Sequence, residues 1–164
     1  MSKSIFTEEQ QFTQWWIWLI IIAGALGSTA AFYANDQLRA EAWPSLLLTY
    51  GVLILVIIFL KSMTLKSRID EKGVHYSFWP LIWKEKSIPW TAIEKAEVIK
   101  YSPIQDYGGW GYRYTFGSKG KALNVKGNMG LKLYFTDKKP LLIGTQNATE
   151  LKAVIEKYSS PKHD

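Results

Sequence analysis

The chain has 164 residues, a net charge of +6, no cysteine, and two histidines, His75 and His163. Without cysteine there is no disulfide framework and no thiolate chemistry, and two histidines alone argue against a zinc site of the usual kind. The charge is split: residues 1–60 hold two basic and four acidic side chains, and residues 61–164 hold eighteen basic and ten acidic ones. That asymmetry points the second part toward a membrane or polyanion partner.

In chain order, residues 1–13 form a short N-terminal segment, expected on the cytoplasmic side. From Gln10 to Asn35 no residue is charged, and from Ala42 to Leu60 there is again no charge. Each run is long enough, at ~1.5 Å per helical residue, to cross a hydrocarbon core of about 30 Å. The remaining chain is too short to bury two such helices on all sides, so a transmembrane hairpin over 14–60 is expected, with spans near 14–34 and 43–60. A cleaved signal peptide is a poor fit, because the first run is too long and Glu8 and Glu9 replace a basic leader. Trp15, Trp16, Trp18, Tyr33 and Trp43 sit where interfacial aromatic anchors belong. The connection Asp36–Glu41 carries a single basic residue, Arg39, whereas Lys61, Lys66, Arg68 and Lys72 follow the second span. The positive-inside rule then puts both termini in the cytoplasm, in a two-pass protein of a bacterial inner membrane. Ala23, Gly24, Gly27, Ser28 and Ala31 give the first span a stripe of small residues suited to close helix packing, within the hairpin or against a partner.

After Lys61 the apolar period changes to two. Leu65, Ser67 and Ile69 alternate with Lys66 and Arg68; after the turn Asp70-Glu-Lys-Gly73, Val74, Tyr76 and Phe78 alternate with His75 and Ser77. This reads as a β-hairpin with His75 on its polar side. Further strands are expected over 96–101, 112–116, 122–126, 131–136 and 141–145, separated by glycine-rich or Asp-Lys-Lys-Pro turns, which makes about seven in a barrel or sandwich. Asn147 with Glu150 resembles a capping box, and Leu151, Val154, Ile155 and Tyr158 form one apolar stripe of a C-terminal helix that would plug the open end. Residues 159–164 read as a flexible tail.

Strands followed by one amphipathic helix resemble the pleckstrin-homology (PH)-like domain, and more narrowly the bacterial PH-like membrane proteins. The residues carrying the resemblance are Arg68–Tyr76, Ile88–Lys95, Gly108–Gly111, Gly130–Phe135 and Leu142–Gln146, across about 61–158. The resemblance implies an α+β fold and non-catalytic binding to lipid headgroups or proteins. It does not extend to specific phosphoinositide recognition, since the first hairpin loop is only four residues long and holds Lys72 alone, with Lys66 and Arg68 on the flanking strand.

No nucleophile, acid and base are spaced as a recognisable catalytic set, and Asp106 and Glu97 have no evident partner. Gly108-Gly-Trp-Gly111 lacks the Gly-Lys-Ser/Thr ending of a phosphate loop, so a turn that folds Trp110 onto the sheet is expected. Gly117-Ser-Lys-Gly-Lys121 reads as a solvated hairpin tip. Nucleic acid is not expected, because sheet packing accounts for the aromatics and an anionic leaflet for the lysines. Phe78-Trp-Pro-Leu-Ile-Trp-Lys84 has two readings: Trp79 and Trp83 pack in a wall, or they form a wedge in the headgroup region. The expected membrane and anion contacts are Lys61, Lys66, Arg68, Lys72, Trp79, Trp83, Lys84 and Lys86. The expected function is a non-enzymatic, membrane-anchored binding or scaffolding module needing no cofactor, with the bilayer, anionic headgroups and a protein as partners. The alternatives are an accessory subunit of a larger membrane complex and an enzyme of unrecognised type.

Overall fold

A computed structural model describes residues 6–34, 43–115 and 118–159. The chain divides into two compact units, one of residues 13–62 and one formed by residues 1–12 together with 63–164. The connection Asp36–Glu41, most of the C-terminal tail, and Phe116 and Gly117 lie outside the described residues.

The first unit is two helices, α1 (Trp15–Ala34) and α2 (Trp43–Ser62), each of 20 residues and with no residue buried within the chain. Both are long and apolar enough to cross a membrane. A polar clasp joins them: the Tyr50 hydroxyl lies 2.6 Å from Thr29 Oγ1 and 3.3 Å from the Ala25 carbonyl oxygen. The small-residue stripe is not the face that meets α2. Ala23, Gly24, Gly27 and Ala31 are exposed, and a methyl group at Gly24 or Gly27 would meet nothing within 4 Å.

The second unit is built from nine strands among the described residues. Strands β1 (Phe6–Gln11), β2 (Thr64–Asp70), β3 (Gly73–Trp79) and β4 (Ile82–Pro89) form an antiparallel meander in chain order. Strands β5 (Lys95–Lys100), β6 (Gly111–Tyr114), β7 (Lys121–Asn124), β8 (Met129–Tyr134) and β9 (Leu141–Thr145) form a second sheet in the order β5-β8-β9-β7-β6. In that sheet only the β7–β9 pair is parallel. A short helix α3 (Pro103–Tyr107) precedes β6, and α4 (Ala148–Ser159) ends the domain.

The barrel or sandwich of about seven strands expected from the alternating runs is two sheets of four and five strands, with no closed barrel among the described residues. Two strands carried no alternating signal. In β1 only Phe6 and Gln10 are buried, and β4 is an edge strand exposed from Trp83 to Ser87. The hairpin around Asp70–Gly73 forms as expected, with Asp70 opposite Gly73. A Cβ on Gly73 would fall 2.0 Å from the Ile88 carbonyl oxygen, so the turn leaves no room for another residue there.

Leu65, Ile69, Val74 and Phe78 from the first sheet are buried, as are Leu123, Leu131, Leu133, Leu142 and Ile143 from the second. On α4, Leu151, Val154 and Ile155 are buried, and the Tyr158 ring stacks on Trp90 at 5.9 Å. The helix packs on β5, with smaller contacts to β1 and β8. Its first turn is closed by the Leu151 amide donating to the Asn147 carbonyl, while the Asn147 side chain donates to the Glu150 carboxylate. β1 also ties the two sheets together. Glu8 accepts from Thr145 Oγ1 and the Gln146 amide, both at 2.6 Å, and Gln10 Nε2 donates to the Gly144 carbonyl at 2.7 Å.

Candidate functional site

Three places in the β domain gather functional groups. The first is the β3–β4 turn, which contains a cis Trp79–Pro80 bond. Here Trp79 and Leu81 are each 49% exposed and Trp83 is 71% exposed, with the Lys84 ammonium 5.7 Å from the centre of the Trp83 ring. Burial of apolar area favours packing such side chains inside, so three exposed together form an apolar surface patch. Register fixes where they stand. Trp79 pairs with Thr64, and Thr64 pairs with Gln11. The apolar turn thus lies at the end of the first sheet where the chain leaves for α1 and returns from α2.

Of the expected contact residues, Trp79, Trp83, Lys84 and Lys86 come together on this one hairpin. Lys66 and Arg68 are engaged elsewhere: Lys66 pairs with Glu9 at 3.0 Å, and Arg68 with Asp70 at 2.6 Å and Glu85 at 3.0 Å. The hydrogen bond to Glu85 leads the effects that raise the Arg68 pKa. Lys72 sits in the turn at the opposite end of the sheet. Lys61 closes α2, its ammonium 5.6 Å from the Trp18 ring.

The second place is around Asp70, which is 1% exposed. Its Oδ1 accepts from the Lys72 amide at 2.8 Å and the Gly73 amide at 3.2 Å, and lies 3.1 Å from His75 Nε2. His75 Nδ1 is 2.7 Å from Ser87 Oγ. His75 is therefore buried, not on the surface as its place on the polar side of β3 suggested. The series Ser87–His75–Asp70 has the members of a nucleophile, base and acid, and it links β4, β3 and the turn before β3. Ser87 and His75 are cross-strand partners, and Arg68 with two turn amides already occupies the carboxylate. Such an arrangement fixes the turn and the β3–β4 pairing. Asp106 and Glu97 likewise have partners that spacing could not reveal. Asp106 accepts from Lys119 Nζ at 2.6 Å and the Ser102 amide at 2.7 Å, which hold its pKa below the ordinary value. Glu97 accepts from Lys95 and Tyr134, which lower its own pKa and push the Tyr134 phenol up to about 12.

The third place is an open cleft of about 770 Å³. One wall is the end of β4, Ser87–Pro89, and the other is Tyr114, Lys121 and the β8–β9 connection through Lys138 and Lys139. The ammonium groups of Lys121 and Lys139 lie 5.8 and 5.3 Å from the centre of the Tyr114 ring. Gly120 shapes this wall: its φ is +77°, and a Cβ there would fall 2.0 Å from the Pro140 carbonyl oxygen. The cleft was invisible in the sequence because its lysines come from two separate turns, each of which reads as a solvated tip. Trp110, expected to fold onto the sheet, turns toward the loop between β7 and β8, its Nε1 donating to the Gly127 carbonyl at 3.1 Å. Among the described residues no three His, Cys, Asp or Glu side chains are grouped to hold a metal ion.

No protein-family model, curated protein or solved structure matches this chain.

Proposed function

We propose that this chain is a non-enzymatic binding module anchored by a two-pass hairpin in a bacterial inner membrane, with a PH-like domain on the cytoplasmic face. The observation that carries the reading is the exposed Trp79–Leu81–Trp83 turn at the sheet end where the chain passes to and from the two apolar helices. In the headgroup region such side chains bury apolar surface while Lys84 and Lys86 meet anionic lipid. A double crossing returns the chain to the side it left, and this agrees with the direct pairing of Gln11 with Thr64 on either side of the hairpin. The basic residues after the second span favour the cytoplasm as that side. A four-stranded meander, the antiparallel run β5-β8-β9 and a closing helix support the PH-like reading.

The cysteine-free chain allows a direct test with one environment-sensitive dye on Leu81→Cys, in the full protein reconstituted with phosphatidylglycerol. Its emission should shift to the blue and be quenched by headgroup-level doxyl lipid, whereas the same dye on Lys138→Cys should stay water-like. Water-like, unquenched emission at position 81 would sink the proposal. A second reading, an accessory subunit, is favoured by the exposed Ala23, Gly24, Gly27 and Ala31 stripe, which leaves a face of α1 open for another helix.

A further inference from the structure

We infer that the cleft beside β4 receives an extended acidic peptide segment of a protein partner, which adds as a strand to the β4 edge. The inference rests on the reading of the domain as a binding module and names what its second surface binds. Three observations carry it. First, among the described residues β4 pairs with β3 alone, so its other edge offers backbone donors and acceptors, and it is exposed from Trp83 through Ser87. Unpaired edges template further strands unless guarded, and lysine is a usual guard. Lys84 and Lys86 guard this edge against a second copy of the same strand, and the stretch left to a partner runs through Ser87–Pro89 beside the cleft.

Second, the cleft continues that edge with both chemistries such a peptide needs. Ile88, Ile93, Phe135 and Leu141 supply apolar lining for alternate side chains, while Lys121 and Lys139 flank Tyr114 and Lys138 lines the same cleft. Lys121 and Lys138 form no ion pair among the described residues. The carboxylates in the cleft are Glu94 and Asp137; Glu85, on β4 itself, is taken up by Arg68. The balance of charge available to an incoming strand is therefore positive. Strand addition of this kind takes affinity from main-chain hydrogen bonds and specificity from pockets for alternate side chains.

Third, position separates this surface from lipid. Pro89 pairs with Gly73, at the end of the first sheet opposite the Gln11–Thr64–Trp79 row from which the hairpin departs. Strand rise of ~3.3 Å per residue sets the two ends of β3 about 20 Å apart. A headgroup-seated turn at one end leaves the cleft for a soluble occupant.

The test uses the full chain in phosphatidylcholine nanodiscs and fluorescein-labelled blocked hexapeptides, read by anisotropy. Alternating Glu-Val peptide should bind saturably, and alternating Lys-Val peptide should not. An acidic peptide N-methylated at every second residue, of equal charge but unable to pair as a strand, should also fail. Lys121→Glu with Lys138→Glu should weaken Glu-Val binding by about tenfold or more, and Lys121→Gln with Lys138→Gln by less. The dye signal at Leu81→Cys should be unchanged in both. Both lysines are exposed, so neither pair of changes disturbs the core. Equal binding of the N-methylated peptide, displacement by millimolar inorganic phosphate, or no saturable binding would each overturn the inference. If the Leu81 dye still reports the bilayer in that case, the membrane reading stands and only the peptide site falls.

Discussion

Phe6→Ala tests whether the strand ahead of the hairpin belongs to the fold that follows it. Phe6 is 3% exposed and opposite Ile69, at the end of β1 remote from the hairpin. Truncating a buried phenylalanine costs about 3–5 kcal/mol, through lost transfer energy and the cavity left behind. Small domains are stable by only about 5–15 kcal/mol, so this single change removes a large share of the total. For a domain of about a hundred residues, each kcal/mol moves the midpoint by ~4–8 °C, and a fall of roughly 12 °C or more is expected. The assay is thermal unfolding of the full chain in mild detergent, followed by near-ultraviolet circular dichroism, to which the packed aromatic pairs Trp90–Tyr158 and Tyr101–Tyr107 contribute. Thr7→Ala, on the exposed side of the same strand, is the control and should stay within about 0.5 kcal/mol of wild type. If Phe6→Ala unfolds with the control, β1 is not part of the folded unit and the account of the sheets fails.

Three further outcomes follow from the same geometry. Replacing residues 13–62 with Asn-Gly should give a soluble, cooperatively folding domain, because Gln11 and Thr64 are antiparallel partners and one further pair in that register, Phe12 with Met63, would be closed by a two-residue turn; aggregation without detergent would contradict this. Leu151→Ala, at 2% exposure on α4, should cost about 2–5 kcal/mol in urea unfolding, and an unchanged midpoint would mean that the helix is not docked. The Asp106 pKa is depressed below its ordinary 3.8, first by Lys119 and then by the Ser102 amide. Its contribution is therefore complete above that value and lost as pH falls through the lower folded-state value. Asp106→Asn should lower the urea midpoint near neutrality and flatten the acid limb; an acid limb as steep as wild type would exclude this carboxylate as its source.

The sequence was most legible where one local rule was obeyed without interruption. The two charge-free runs became α1 and α2, with α2 carried on to Ser62. The turn at Asp70–Gly73 and the stripe on α4 also follow local patterns. What escaped was long-range. Phe-Thr-Glu-Glu-Gln-Gln has no alternating apolar side, and β1 is held by Glu8 and Gln10 bonding to Thr145, Gln146 and Gly144, at least 134 positions away. His75 is buried with Nδ1 on Ser87 of the neighbouring strand and Nε2 beside the Asp70 carboxylate, placements that alternation along β3 does not reveal. The small-residue stripe named a face of α1 without saying what it meets, and the Thr29–Tyr50 clasp turns a different face to α2. The cleft lysines belong to turns that become a wall only when β7 pairs with β9.

A domain interrupted by its own anchor differs physically from one hung on a flexible tail. A flexible linker explores about 5–6 Å × √n, so a contact at the membrane must be strong enough to hold an otherwise free domain there. Here three residues separate β1 from α1 and one separates α2 from β2, and at ~3.3–3.6 Å per residue neither link reaches far. On the proposed reading, the Trp79–Trp83 turn is therefore presented to the interface at high effective concentration. Contacts of on the order of 1 kcal/mol per lysine then suffice to set orientation, although they would not recruit the free domain.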